Sequence, residues 1–385
     1  MSKIEELIRQ WCPNGAEYKT LGSLLDYEQP SKYIVQTTEY EDVGTPVLTA
    51  GQTFILGYTS ETKGIYDADK DNPVIIFDDF TTSYHWVDFK FKVKSSALKM
   101  LRPKDKNVCF KYIYYAMSVI NYTSTEHSRK WISIYSNLLI PVPPLPVQEE
   151  IVKILDAFTS LEAELEAELE ARKKQYEHYR NQLLSFDENT TGGGIKYMSL
   201  AQVCNFYNGK GHERAIVDDG KYIVVNSKFV SSGGSVKKYS NEQLCPVFAN
   251  DILMVMSDLP NGKALAKCFL VDEDAKYTLN QRICRLENKY SDTISPKFLY
   301  YIFDRNAQLL KFDNGCDQTN LRKEDILKII IPIPPLEEQE RIAAILDKFD
   351  SLVNDISEGL PAEINARKQQ YEYYRNKLLT FDEAA

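Results

Sequence analysis

At 385 residues, 43% apolar and 26% charged, the chain has the make-up of a globular protein and room for two ordinary domains with helices to spare. It has no run of 18 or more apolar residues, and its opening MSKIEELIRQW lacks a secretion pattern; both point away from membrane and export. Seven cysteines without C-x-x-C spacing point to reduced thiols in the cytoplasm rather than a disulfide frame or a zinc site.

The net charge of −9 is unevenly spread. Residues 1–137 carry 16 Lys+Arg against 17 Asp+Glu, residues 138–195 carry 5 against 11, residues 196–330 carry 19 against 16, and residues 331–385 carry 6 against 11. The acidity therefore sits in the second and fourth segments, while the first and third are near neutral and free to present basic faces to a polyanion.

Residues 1–139 open with a short amphipathic start and then read as a mixed, strand-rich domain. Short β-type runs occur at Tyr33–Val35, Pro46–Thr49, Thr53–Leu56 and Val74–Phe77, bounded by Gly, Asp, Asn or Pro. Val87 to Lys94 alternates strictly and predicts an antiparallel strand with a lysine edge. Cys109 to Val119 predicts a short helix.

Residues 140–188 bring a Pro-rich strap, IPVPPLPVQEE, followed by a long stretch without Gly or Pro. Its apolar positions Ile151, Ile154, Phe158, Leu161, Leu165 and Leu169, continued by Arg172, Tyr176, Tyr179 and Leu183, step by threes and fours, as a coiled-coil seam does. From Gln148 to Phe186 such a helix spans roughly 58 Å at about 1.5 Å per residue.

Residues 189–330 begin with Asn189-Thr190-Thr191-Gly192-Gly193-Gly194, a flexible hinge by composition. They then repeat the first domain loosely. Tyr197–Leu200 echoes Tyr18–Leu21, Val247–Met256 takes the place of Val74–Phe77, and Lys297–Tyr301 echoes Lys111–Tyr115. Residues 331–385 repeat the strap and helix closely, at an offset of 191 through Leu161 and Leu352 and of 195 from Ala171 and Ala366 onward. The second seam runs Ile342, Ile345, Phe349, Leu352, Ile356, Leu360, Ile364, Arg367, Tyr371, Tyr374 and Leu378, one step of four longer. Gly359-Leu360-Pro361 is where this second helix is expected to break or kink. Two similar supports carrying two dissimilar heads suit a protein that reads two different things at a set separation; separate dimerisation handles are the plainer alternative.

Catalytic machinery is sparse. There is no phosphate loop of the Gly-x-x-x-x-Gly-Lys-Ser/Thr type, and Gly209-Lys210-Gly211 lacks the second half of a dinucleotide fingerprint. His85, His127, His178 and His212 show no ligand spacing. Asp78-Asp79 reads first as a turn after a strand; a Mg²⁺-holding nuclease pair is the remote alternative.

Polar loops fit recognition better. In the first domain Thr59, Thr62 and Lys63, then Thr81, Thr82, Ser83 and His85, and then Arg129 offer donors and acceptors at strand ends. In the second, Lys210, His212 and Arg214 are followed by Asn226 and Lys228, by Lys237 and Lys238, and by Asn280, Gln281 and Arg282. Asn and Gln pair bidentately with adenine and Arg with guanine in the major groove, while Lys, Ser and Thr suit phosphates.

The strap Pro-x-Pro-Pro-Leu-x-x-Gln-Glu and the helix ending Arg-Lys-x-Gln-Tyr-Glu-x-Tyr-Arg-Asn-x-Leu-Leu occur twice, at Pro141–Leu184 and Pro332–Leu379, beside variable heads. In this the chain resembles the specificity subunit of type I restriction–modification systems over nearly its whole length. The tetrads from Leu161, Leu165 and Leu169 look like that family's variable-length central repeat, and Tyr277–Arg282 is similar to a segment common in its target recognition domains.

The resemblance implies an α+β fold of two mixed, strand-rich target recognition domains in tandem. Each is followed by a long helix, and the helices pack as an antiparallel coiled coil with pseudo-two-fold symmetry. It implies that each head binds one half of a split, asymmetric site in double-stranded DNA, and that this chain is a non-catalytic reader and scaffold. Gln148, Ile151, Phe158, Leu161, Leu165, Leu169 and Tyr176, with Gln339, Ile342, Phe349, Leu352 and Tyr371, are then expected to build the coiled coil and dock partners. Those partners are two adenine-N6 methyltransferase subunits using S-adenosylmethionine and ATP- and Mg-dependent restriction subunits, so that no cofactor belongs to this chain. A coiled-coil adaptor whose heads bind proteins is the rival reading.

Overall fold

The computed structural model describes residues 3–51, 53–105, 107–122, 128–186, 195–212, 214–259, 264–313, 318–354 and 359–384. The hinge at Asn189–Gly194, His127 and the seam position Ile356 lie outside them. The chain forms two compact units: unit 1 is Met1–Ala167 with Glu363–Ala385, and unit 2 is Glu168–Ala362. Each unit thus contains one head, the start of the helix that follows it, and the end of the other helix.

The first head runs α1 (Lys3–Trp11), β1 (Glu17–Thr20), α2 (Leu21–Leu24), β2 (Leu25–Glu28), β3 (Thr45–Leu48), β4 (Ile55–Thr59), β5 (Val74–Asp78), β6 (Tyr84–Val87), β7 (Lys92–Val93), β8 (Leu98–Pro103) and α3 (Phe110–Met117). The strap forms β9 (Leu139–Val142) and leads into α4 (Leu145–Leu184). The second head runs β10 (Lys196–Ser199), α5 (Leu200–Val203), β11 (Cys204–Asn208), β12 (Ile216–Val217), β13 (Tyr222–Val225), α6 (Ser227–Ser231), β14 (Tyr239–Ser240), β15 (Ile252–Val255) and β16 (Ser257–Asp258). It continues with β17 (Cys268–Leu270), β18 (Tyr277–Leu279), β19 (Ile283–Asn288), α7 (Pro296–Phe303), α8 (Ala307–Leu310), β20 (Thr319–Asn320) and α9 (Lys323–Lys328). The second strap is β21 (Ile330–Ile333), followed by α10 (Leu336–Asn354) and α11 (Leu360–Leu379).

The two heads share one plan. In unit 1 the main sheet has the order β2-β8-β5-β6; in unit 2 it is β11-β19-β15-β17. A second sheet in each contains a parallel pair, β3 with β7 and β13 with β18. The opening strand of each head pairs antiparallel with its own strap, β1 with β9 and β10 with β21. The central strands are buried on both faces because successive side chains point opposite ways. Ile75 and Phe77 enter one core and Val74 and Ile76 the other. Ile252 and Met254 separate from Leu253 and Val255 in the same way. Each fully buried side chain of this kind contributes about 1.5–3 kcal/mol.

Val87 to Lys94 is not one antiparallel strand. Its last part, β7, pairs parallel with β3, and Lys92 is buried there instead of forming a solvated edge. Its ammonium finds internal partners, Glu61 at 3.0 Å and the carbonyl of Lys63 at 2.6 Å. Tyr33–Val35 is likewise no strand but a single bridge from Ile34 to Val93 after a 3₁₀ turn.

The straps explain their glutamines. Gln148 and Gln339, expected at a partner-binding surface, are buried. Gln148 accepts the N–H of Cys109 at 2.9 Å and donates to the carbonyl of Pro143 at 2.6 Å. Gln339 accepts the N–H of Ser295 at 2.9 Å and donates to the carbonyl of Pro334 at 2.7 Å. Each thereby satisfies a donor at the start of α3 or α7 and ties the strap to it. Next to them Tyr115 donates to Asp156 at 2.5 Å and Tyr301 to Asp347 at 2.7 Å, with Lys111 and Lys297 pairing with the same two aspartates.

Helix α4 holds 40 residues without interruption, Pro146 falling in its first turn where no N–H is missed. In unit 1 Phe158 packs against Tyr371 and Tyr374 at 6.3 and 5.6 Å, and Lys368 pairs with Glu162 and Glu166. Numbers rise along one helix as they fall along the other, so the pair is antiparallel. In unit 2 the equivalent ring Phe349 meets Tyr176 and Tyr179 at 6.5 and 5.7 Å. Ile151 and Ile342 are buried and Leu161, Leu165 and Leu169 half-buried. Leu352 departs from the expected seam: it is 40% exposed, and its neighbour Val353 is buried in its place. The second helical segment is described as α10 up to Asn354 and α11 from Leu360, with Gly359 in a bend outside the helix and Pro361 in the first turn of α11.

Candidate nucleic-acid interface

In unit 1 a carboxylate organises the loops at the end of β5. Asp79 is buried and receives the ammonium of Lys99 at 3.1 Å and the N–H groups of Lys130 and Trp131 at 3.1 and 2.8 Å. Its oxygens are thus engaged by protein donors, and it serves as a staple. Asp78 accepts the N–H groups of Phe80 and Thr81, closing a tight turn in which Thr82 adopts φ 61°. The staple brings exposed Arg129 beside this turn, where Thr81 and Ser83 share a hydrogen bond of 2.6 Å.

The remaining residues expected to bind DNA in unit 1 fare differently. Thr59 is buried in β4, with its hydroxyl accepting the N–H of Glu61. His85 is packed against Phe54 and lies 3.2 Å from the carbonyl of Gly51. Thr62 and Lys63 are exposed, but the hollow of about 360 Å³ at Thr59–Glu61 is rimmed by Glu39, Glu41 and Glu61. Carboxylates repel phosphates, so the 78–83 turn with Arg129 is the better contact face.

In unit 2 the predicted residues converge. Asn226, Lys238 and Asn280 line one hollow of about 300 Å³ together with Ile216 and Val224. Gln281 and Arg282 line a second, of about 280 Å³, with Gln318, Asn320 and Ser257. The turn Asn280–Arg282 lies between them. Lys210 is held beside it through its N–H on the carbonyl of Leu279. That approach needs Gly209, because a Cβ there would meet the carbonyl oxygen of Asn280 at 2.0 Å. Lys210, Arg214, Lys228, Lys237, Lys238 and Arg282 are all exposed, and among the described residues none of the six forms an ion pair.

Two asparagines have structural duties. Asn226 caps α6 by accepting the N–H of Phe229 at 2.9 Å, and Asn280 accepts that of Arg282 at 3.3 Å. His212 is buried, 3.0 Å from the hydroxyl of Thr278. Sequence reasoning missed Asn320, which stands on a two-residue strand paired with Ser257–Asp258, and Gln318, just before that strand.

Residues 13–171 and 193–366 match the family model of the type I restriction modification DNA specificity domain. The chain belongs to that family. The type I restriction enzyme EcoR124I/EcoR124II specificity subunit of Escherichia coli is 40% identical over 413 aligned positions, spanning 99% of this chain and 97% of that protein. A putative type I restriction enzyme specificity subunit of Haemophilus influenzae is 29% identical over 86% of each chain. The fold matches the crystal structure of a type I restriction-modification system S subunit from M. genitalium, with a TM-score of 0.58 at 17% identity over 95% of this chain and 96% of that one.

Family membership makes the chain a DNA specificity subunit of a restriction–modification complex rather than an enzyme in its own right. Its two family domains correspond to the two heads with their helical supports. Among the described residues no helix is long and apolar enough to cross a membrane.

Proposed function

We propose that this chain reads a split, asymmetric site in double-stranded DNA, one half per unit, and scaffolds the complex that acts there. The observation that carries the reading is the repeated support. The same ring contact, Phe158 on Tyr371 and Tyr374 in unit 1 and Phe349 on Tyr176 and Tyr179 in unit 2, underlies two heads whose rims differ. Arg129 with the 78–83 turn serves one half-site. Lys210, Arg214, Lys228, Lys237, Lys238 and the Asn280–Arg282 turn serve the other. Lysines hold phosphates and fix register, and the amide and guanidinium groups discriminate bases.

In this reading the helices dock two adenine-N6 methyltransferase subunits in the cytoplasm. S-adenosylmethionine is bound there, and ATP with Mg²⁺ on the restriction subunits. Flipping of the target adenine also belongs to the methyltransferase. The helices act as a ruler between the half-sites.

The test is a methylated-adenine motif map of the host with and without this chain, repeated after deleting Leu165–Glu168. That deletion shortens α4 by about 6 Å and turns its far end by about 40°. The spacer should shrink by one or two base pairs with both half-sites unchanged; altered half-sites would defeat the ruler. Binding of the chain to DNA should weaken steeply with salt, a behaviour a protein-binding adaptor need not show.

A further inference from the structure

Both heads contain the same backbone junction beyond the central strand. In unit 1 Asp79 donates its N–H to the carbonyl of Ala97 at 2.9 Å and accepts that of Lys130 at 2.8 Å. In unit 2 Met256 donates to the carbonyl of Arg282 at 2.9 Å and accepts the N–H of Leu321 at 2.7 Å. Matching these bonds puts Asn320 where unit 1 has Arg129 and Arg282 where unit 1 has Ala97. The guanidinium has moved from one lip of the junction to the other, and amides have taken its former place.

The lip in unit 2 is held rigid. Gln318 and Asn320 are two apart on an extended segment, so they share one face, while Thr319 between them turns inward at 9% exposure. The side-chain nitrogen of Gln318 donates to the hydroxyl of buried Ser257 at 2.7 Å and reaches the side-chain oxygen of Asn320 at 3.4 Å. A side-chain amide nitrogen carries two protons, and these two bonds engage both, which leaves the side-chain oxygen of Gln318 as acceptor and the side-chain nitrogen of Asn320 as donor for a ligand. Base discrimination needs side chains whose rotamers are fixed before the ligand arrives, and this network supplies that.

We infer that Arg282, Gln318 and Asn320 are specificity-determining residues of unit 2, reading purines through their major-groove edges. The inference rests on the DNA-reading function proposed above. Arg282 suits the paired acceptors of a guanine, and Gln318 and Asn320 suit the donor–acceptor pair of an adenine. Lys237 and Lys238 carry no such pattern and contribute phosphate contacts that are blind to sequence. Among the described residues unit 1 offers Arg129 at the matched junction, so the two half-sites are read with different chemistry.

The experiment expresses the full chain with its methyltransferase partner and maps methylated-adenine motifs for wild type and for Arg282→Ala, Gln318→Ala and Asn320→Ala separately. Lys237→Ala serves as the control. Each of the three should relax one or two purine positions in one half-site only, leaving the other half-site and the spacer intact, while Lys237→Ala weakens binding alike on every duplex without changing the bases of the motif. In parallel, binding of each purified variant to the wild-type site is compared with binding to duplexes substituted at single positions. The preference for the correct base should fall about 10–100-fold at the relaxed position. This second reading also covers any variant whose complex fails to methylate. If all three variants keep the wild-type motif and preference, the inference is overturned while the DNA-reading function stands. A wild-type chain that directs no two-part motif defeats the function itself.

Discussion

The two heads solve the same junction with opposite chemistry. In unit 1 the residue beyond the central strand is Asp79, buried with Lys99 at 3.1 Å; at the matched places unit 2 has Met256 and Cys284. The backbone bonds around the junction are the same in both. A buried ion pair is therefore no requirement of the fold. What the fold requires is the set of backbone bonds, and these leave the side chains at the lip free to differ, as Arg129 and Asn320 do. A pair of readers with one scaffold and separate specificities needs that division.

The largest expected effect breaks the comparison at its charged end. Asp79→Ala leaves Lys99 buried without its counter-charge and also strips an acceptor from the N–H groups of Lys130 and Trp131. It should cost roughly 3–5 kcal/mol. Trp11, Trp86 and Trp131 are the three tryptophans of the chain and all belong to unit 1, so fluorescence during urea unfolding follows that unit alone. Met256→Ala in unit 2 removes a half-buried side chain and should cost less than the roughly 2–5 kcal/mol of a fully buried methionine. A neutral Asp79→Ala would mean that the ion pair does not hold the junction.

The straps supply the contrasting case, where the two units should agree. Gln148→Ala and Gln339→Ala each orphan a half-buried N–H at a helix start and a strap carbonyl. Each should lose about 1–3 kcal/mol, and the two losses should be similar. Fluorescence reads the first, and amide exchange at α7 reads the second. Unequal losses would show that the repeat in sequence is not a repeat in energy.

These two cases also mark what the sequence made legible. The paired helices were readable because spacing by threes and fours leaves one face, and Phe158 and Tyr371 met as that face requires. The break before Leu360 was readable from Gly359 and Pro361. The shared plan of the heads followed from short echoes such as Tyr18 with Tyr197. The role of the strap glutamines was not readable, since a polar residue repeated beside a helix looks like a docking surface until its carbonyl partners are seen. Alternation misled at Lys92, whose charge is met by Glu61, far off in sequence. Gln318 and Asn320 were hidden for a similar reason: their partner Ser257 lies 61 residues before Gln318, and a two-residue strand leaves no periodic trace. Matching the repeats by backbone bonds would have found Asn320 from Arg129.

The smallest effect concerns that same Lys92 and sharpens the contrast between the second sheets. Parallel pairing matches Lys92 with Thr278, so a carboxylate–ammonium contact in unit 1 stands where unit 2 has a hydroxyl against His212. The bond from Lys92 holds the Glu61 carboxyl below its ordinary value, aided by the N–H groups of Gln36 and Thr37. A carboxyl with a lowered folded-state pKa contributes stability above its unfolded value, and that contribution disappears as pH falls through the folded one. Acidification below the ordinary carboxylate range should therefore loosen the 59–64 loop of unit 1, where Lys92 also ties down the carbonyls of Lys63 and Gly64. Exchange of the Gln36 and Thr37 amides should speed up in acid beyond the intrinsic rate change. Glu61→Gln should remove that extra dependence, because its amide does not titrate; exchange that stays pH-dependent in the variant would place the sensitivity elsewhere.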